Sequence, residues 1–241
     1  MTSASGFLVF LTGINMLNYL DRYVAAAVLE PMGRELGLTD SQLGWVHPVF
    51  IYAYMLSAPV IGALADRMHR PRLVAAGISL WSLATAAAAF ADGFGGLLLA
   101  RALVGVGEAA YASLGPAILA DCYPEDERAR SFTWFYLAIP VGSALGYGLG
   151  GLAAQAWGWR AAFLIAGLPG LVLAARMACL PDPPRGALDT TEDRLGGASL
   201  PARLAHLFTN RIWLACTLSY TAYTFAMGAL SSWAPTLLQR A

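Results

Sequence analysis

The stretch Phe94-Gly-Gly-Leu-Leu-Leu-Ala-Arg101-Ala-Leu-Val-Gly105-Val-Gly107-Glu108-Ala-Ala-Tyr111-Ala-Ser-Leu-Gly-Pro116-Ala-Ile-Leu-Ala120 carries only two charges in 27 residues. At a rise of about 1.5 Å per residue, roughly 20 apolar residues span the ~30 Å hydrocarbon core of a bilayer, so this run is long enough to cross. Its two charges are seven residues apart, two turns along one helical face. Ionisable groups in hydrocarbon are costly and usually face a cavity or a partner. One stretch thus sets the fold class, a membrane helix, and points to where function resides.

Working outward, further apolar runs lie near residues 7–29, 41–65, 72–91, 131–156, 160–180 and 211–237. Short segments rich in helix enders and charges separate them, such as Glu30-Pro31, Asp66-Arg67 through Arg72, and Pro124-Glu125-Asp126-Glu127-Arg128. The first run has no basic residue ahead of it and contains Asp21-Arg22, so it reads as an uncleaved helix. The chain is 58% hydrophobic and 12% charged, about half the charged share of a soluble domain, which argues against a water-soluble fold. With 15 basic and 15 acidic residues there is no basic field for a nucleic acid. Every basic residue is Arg, which excludes Schiff-base and P-loop chemistry, since each needs a lysine amine. Cys122, Cys179 and Cys216 have no metal-ligand spacing and are expected as small buried hydrophobes; no metal or cofactor is implied.

Arg accumulates in short cytoplasmic loops. An inside N-terminus puts Arg67, Arg70, Arg72, Arg128, Arg130, Arg176, Arg185, Arg194, Arg203 and Arg211 in cytoplasmic segments and leaves Arg34, Arg160 and Arg240 outside. Residues 181–210 break the rhythm of short loops; within them Leu200, Leu204, Leu207 and Phe208 share a face, fitting a surface helix or a plain linker equally. The reading is therefore an all-α, multi-pass membrane protein: a six-helix N-terminal bundle over 1–180, a cytoplasmic linker over 181–210, and a seventh transmembrane helix over 211–241. One large class of transporters joins two six-helix halves by such a loop, each half a pair of inverted three-helix repeats. On that view the chain holds one half and the opening helix of the second, and is apparently truncated.

Five ionisable groups fall inside the membrane: Asp21, Arg22, His47, Arg101 and Glu108. Counting from the outer helix ends places His47 about 9 Å, Arg101 about 10 Å and Asp21 about 12 Å deep. Arg101 is then the expected counter-ion of Asp21, with His47 close by. Glu108 falls roughly 10 Å deeper, with no obvious fixed cation at its depth. All but His47 lie on the first and fourth apolar helices, the first of each repeat, an address for substrate and coupling ions. Such a carboxylate can take a proton from one side and release it on the other, with the neighbouring Arg making protonation and substrate binding compete. In the fifth apolar helix, Gly142, Gly146 and Gly150 recur every four residues and allow a close helix approach, while Pro140 permits a kink or hinge. An intramembrane aspartyl dyad would need Asp21 and Glu108 about 3 Å apart, against a depth difference of roughly 9–10 Å. Ser143 has no His near its depth and no Gly-x-Ser-x-Gly around it, so no enzyme is expected.

The segment Gly62-Ala-Leu64-Ala-Asp66-Arg67-Met-His69-Arg70-Pro-Arg72 resembles the cytoplasmic loop signature of the major facilitator superfamily, Gly-x-Leu-x-Asp-Arg-x-Gly-Arg-Arg, with His69 replacing a glycine and Pro71 a basic residue. Within that superfamily the chain is similar to the spinster-like transporters. Asn18-Tyr19-Leu20-Asp21-Arg22, Arg101 to Ala109 with Pro116 and Asp121, and Phe135-Tyr136 through Ile139-Pro140-Val-Gly142-Ser143-Ala-Leu-Gly146-Tyr147 carry this resemblance. It implies a proton-linked carrier for lipid-like or organic anionic solutes in a bilayer, with Asp21 and Glu108 as proton sites and Arg22 and Arg101 as charge partners. It also implies that Asp66, Arg67 and Arg70 join a latch that closes the two halves on the cytoplasmic side, and that a C-terminal half is missing. A bacterial inner membrane is the expected location. An organic-anion symporter of the same superfamily, and a non-transporting fragment or regulator, are the alternatives.

Overall fold

The computed structural model describes residues 3–189 and 200–240, with side chains at 3–189 and 205–228. Among the described residues there are nine helices and no strand: α1 (Ala4–Ala27), α2 (Leu29–Glu35), α3 (Asp40–Ala65), α4 (Arg70–Ala88), α5 (Phe94–Ala120), α6 (Glu125–Trp157), α7 (Trp159–Ala178), α8 (Leu200–Thr209) and α9 (Arg211–Arg240). Capping chemistry sets several starts. The Ser3 hydroxyl accepts from the Gly6 amide at 3.2 Å, and Thr39 and Gln42 form a reciprocal capping box at the head of α3. Two boundaries differ from expectation. The chain does not leave the helix at Glu30-Pro31, because Pro31 falls in the first turn of α2, where a missing amide hydrogen costs nothing. And α6 begins at Glu125, not near 131, because Pro124 caps it and Glu125, Asp126 and Glu127 meet the positive end of its dipole.

The described residues up to Leu188 form one unit and those from Asp189 onward another. Inside the first, α1 packs on α6, α3 on α5, α4 on α7 and on α5, and α1 on α7. Exchanging α1 with α5, α3 with α6 and α4 with α7 carries α1·α6 onto α5·α3, leaves α4·α7 in place, and turns α4·α5 into α7·α1. Apart from α6·α7, whose image α3·α4 makes no comparable contact, that is the contact pattern of two three-helix repeats related by a pseudo-two-fold axis. Among the described residues α3, α5, α6 and α7 are long and apolar enough to cross a membrane. In α1 the run is interrupted by Asn15, Asn18, Asp21 and Arg22, and α4 opens on Arg70-Pro71-Arg72 and carries Ser79, Ser82 and Thr85, so both fall short of that apolarity while packing in the same bundle.

Backbones meet where side chains vanish. A Cβ on Gly146 would lie 2.9 Å from Tyr23 Cβ, one on Gly142 3.1 Å from Tyr19 Cβ and one on Gly150 3.2 Å from Ala27 Cβ, so the glycine stripe of α6 faces α1. A Cβ on Gly77 would lie 2.7 Å from the Gly107 carbonyl and one on Gly107 2.6 Å from that of Gly77, locking α4 to α5. The cysteines correct the sequence reading: Cys179 and Cys216 are exposed and Cys122 half-buried, with burial pushing the Cys122 thiol up to about 11. An apolar run identifies the medium around a helix and not which of its sides meets protein. In the second unit, Leu200–Thr209 is helical, the Asn210 side chain accepts from the amides of Ile212 and Trp213 to start α9, and Phe208 meets Trp213 edge-on.

Gly146→Leu should cost about 1–3 kcal/mol of bundle stability by overpacking against α1. Gly148→Leu, with nothing within 4 Å of its Cβ position, should stay near the parent. Thermal melts of the two variants side by side in detergent check the difference.

Candidate functional site

Helix α1 buries Leu11, Ile14, Asn15, Asn18, Asp21, Val24 and Ala25, one face at three- and four-residue spacing. Asp21 is thus part of the seam that enters the bundle, and its neighbour Arg22 turns to the half-exposed side. On α5, Arg101 and Glu108 share the buried face, at 1% and 0% exposure. Three of the five ionisable groups are therefore enclosed by the first unit itself.

The pairing differs from that expected on depth. Arg22 donates to Glu108 in a close ion pair, whereas Glu108 had been expected to lack a cation. Side-chain reach explains the correction: a long Arg stem carries its charge well away from the level of its own backbone. Asp21 instead accepts from the Thr85 hydroxyl of α4 at 2.6 Å, and makes no ion pair with Arg101 among the described residues. Arg101 Nε and Nη1, Arg22 Nε, Asp21 Oδ1 and Glu108 Oε1 are buried with no hydrogen-bond partner among the described residues. The two carboxylates accept from different donors, Asp21 from Thr85 and Glu108 from Arg22.

Phe50 of α3, which the sequence reading did not single out, is the hub. It is fully buried, with the Arg22 guanidinium 4.8 Å and the Arg101 guanidinium 5.1 Å from its ring centroid. Tyr19 offers Arg22 a second ring at 4.8 Å. The quadrupole of an aromatic face stabilises a cation that has lost water. His47, one turn before Phe50, is half-buried with its ring 6.0 Å from that of Phe50, so it joins the same cluster. The backbone of α3 reaches this level because a Cβ on Gly105 would meet the Phe50 carbonyl. The signal for Phe50 was an aromatic three residues after His47, which periodicity alone reads as ordinary core.

A second polar network closes the Arg-rich end. Arg70, 5% exposed, donates to Asp121 at 2.5 Å, to Asp182 at 2.7 Å and to the Pro183 carbonyl at 2.6 Å. Asp182 also accepts from the Arg70 amide, capping α4 from a distance, and Arg185 donates to the carbonyls of Ala65, Asp66 and Met68 at the end of α3. Asp182 to Gly186 therefore forms a strap across the α3–α4 loop, and Asp121 also receives the Gly186 amide at 2.9 Å. Of the loop-signature residues, Arg70 is committed inside this unit, while Asp66 and Arg67 are exposed and Gly62 has open space at its Cβ position. At the opposite end Glu35 accepts from Arg160 and from Trp159 Nε1, and these bonds hold its carboxyl below the usual glutamate range.

The sequence pattern of the Major Facilitator Superfamily matches residues 11–241. The chain belongs to that superfamily. Its helices have the superfamily fold, that of multi-pass membrane proteins, and its motifs are spinster-like, as the sequence implied. Protein spinster homolog 1 of Homo sapiens is 41% identical over 234 residues, covering 94% of this chain and 44% of that protein. The Xenopus laevis spinster homolog 1 is 40% identical over 239 residues, 96% of this chain and 45% of that one. A crystal structure of a bacterial homolog to the human lysosomal transporter Spinster, inward-facing and unoccupied, superposes with a TM-score of 0.83 at 27% identity, covering 98% of this chain and 56% of that one. The chain spans about half the length of the curated relatives it matches.

Arg22→Ala strands the Glu108 carboxylate without its partner and should cost about 3–5 kcal/mol, whereas removing both charges with apolar residues recovers most of the loss. Melting of the single and double variants tests this. Because the Glu35 carboxyl is held low when folded, its contribution is present above the ordinary value near 4.3 and fades as the pH falls through the lower folded value. Glu35→Gln should remove that part of the acid sensitivity, read as the change in melting temperature between about pH 6 and pH 3.

Proposed function

We propose that the first unit supplies the substrate and proton machinery of a proton-coupled secondary transporter for lipid-like or organic anionic solutes. In this reading it is the N-terminal half of the transporter, 181–210 is the cytoplasmic linker and α9 opens the second half, with the N-terminus cytoplasmic in a bacterial inner membrane. Asp21 and Glu108 are the proton sites, Arg22 and Arg101 bind the anionic head, and His47 tunes the field around Phe50. Asp66 and Arg67 face the other half as the latch while Arg70 holds the loop in shape, and Pro140 with the glycine stripe lets α6 move on α1.

The observation that carries the proposal is Arg101, a guanidinium 1% exposed with two donor nitrogens that bond nothing among the described residues. A buried cation of that kind is stable only with a compensating charge. Two Arg and two ionised carboxylates sum to zero; one added proton leaves a guanidinium uncompensated, and an anion neutralises it. Proton and anion therefore favour each other's binding, the opposite of the competition expected from the sequence, and this is the thermodynamic basis of symport. Arg22, with its side chain 19% exposed, links the enclosed charges to the unit's surface. An anion that draws Arg22 away frees Glu108 to accept a proton. The spinster relatives, one named as homologous to a lysosomal transporter, support a carrier function.

In vesicles holding the whole transporter, Asp21→Asn and Glu108→Gln should each abolish solute flux driven by a pH gradient. Gradient-driven flux retained in both variants puts the proton sites elsewhere. A thermal-shift panel of lysolipids and small organic acids separates an acyl-bearing substrate from an organic anion without a tail.

A further inference from the structure

We propose that Thr85 is a positioning residue for Asp21: by donating its hydroxyl hydrogen to Oδ2 it reserves Oδ1 as the oxygen that takes up and releases the proton. The inference rests on the proton-site reading of Asp21 given above. Both side chains are 1% exposed, so water does not compete for the 2.6 Å bond. A hydroxyl has one hydrogen, and Thr85 directs it at Oδ2; protonation of Oδ2 requires the hydroxyl to give up that bond and turn to accept, whereas protonation of Oδ1 leaves it in place. Among the described residues Oδ1 is buried with no partner, and the charged groups acting on Asp21 are Glu108 and Arg101 from α5 and Arg22 on its own helix. The open oxygen is thus the one left for exchange with the rest of the cluster.

Serine and threonine hydroxyls within helices ordinarily turn back to the carbonyl one turn earlier. Ser57, Ser79, Thr133 and Ser143 do so here, at 2.7 to 2.9 Å. Thr85 spends its hydrogen on another helix instead. Its χ1 is stiff because it is β-branched, and α7 backs it closely: a Cβ on Gly167 would lie 3.2 Å from Thr85 Cβ and 2.7 Å from the Ser82 carbonyl. The hydroxyl is therefore aimed by the α4–α7 contact as well as by Asp21.

The test is infrared difference spectroscopy of the bilayer-reconstituted chain between neutral and acidic pH, with Asp21→Asn identifying the carboxyl C=O band of protonated Asp21. A hydrogen bond to the carbonyl oxygen lowers its stretching frequency, so Thr85→Val should move that band to higher wavenumber and Thr85→Ser should return it. An unmoved band in Thr85→Val, or no band removed by Asp21→Asn, overturns the proposal; a general packing defect moves the melting temperature but is not reversed band-for-band by serine. Flux in the whole transporter separates the two readings. A shifted band with pH-driven flux surviving Asp21→Asn refutes the transport role alone, and an unmoved band with flux lost in Asp21→Asn refutes the positioning role alone.

Discussion

Two guanidinium groups and two carboxylates gathered in a helix bundle, all but Arg22 enclosed, impose the constraint on which the rest of the first unit depends. Each ion sheds its water at a cost of several kcal/mol, about the scale of a domain's whole stability, so the bundle closes only if partners arrive in register. Arg22 to Glu108, Thr85 to Asp21 and the Phe50 ring under two cations are those partners. They come from four different helices, α1, α3, α4 and α5. The glycines that let these helices touch backbone to backbone are therefore part of the electrostatics: Gly105 brings α3 to α5, Gly107 and Gly77 join α5 to α4, and the α6 stripe holds α1 in place. A shift of one side chain's width at any of these contacts would separate donor from acceptor in a medium that offers no water to replace the bond.

The Arg-rich end solves a related problem in a different way. There helix termini leave carbonyls and amides unsatisfied, and a short proline-containing strap supplies the missing groups, Asp182 for the start of α4 and Arg185 for the end of α3. Arg70 is consumed in the process, bound by two carboxylates and a carbonyl. The signature loop is thus held in shape by its own unit, which leaves Asp66 and Arg67 presented at the surface. Shape and presentation are divided between residues that sit within five positions of each other.

Most of the architecture was legible because membrane helices announce themselves by length and apolarity, and the five ionisable residues stand out against that background. Gly142, Gly146 and Gly150 were readable as a contact surface because periodicity alone puts them on one side. What periodicity and depth could not supply was partnership. Glu108 looked unpaired because its backbone level has no cation, and Arg101 looked paired because Asp21 shares its level; side-chain reach reverses both. Thr85 carried no signal and Phe50 only its spacing from His47, since a threonine and a phenylalanine in apolar runs are ordinary. Asp182 and Arg185 lay in a segment whose composition reads as linker, and only the folded chain brings them to the α3–α4 loop.

The pseudo-two-fold relation between the repeats makes the remaining asymmetry informative. The charges lie on equivalent helices, α1 and α5, yet they are spaced differently. On α5, Arg101 and Glu108 are seven residues apart and look the same way. On α1, Asp21 and Arg22 are adjacent, about 100° apart around the helix axis, so they cannot both face α5. Arg22 takes that direction and meets Glu108, and Asp21 is turned toward α4 and Thr85. The consecutive placement thus splits one acidic and one basic charge between two helix interfaces, one enclosed and one reaching the surface through Arg22. In the proposed transport reading, proton exchange at the enclosed carboxylate and anion exchange at the neighbouring guanidinium involve adjacent residues on one helix, so that a movement of α1 would register at both.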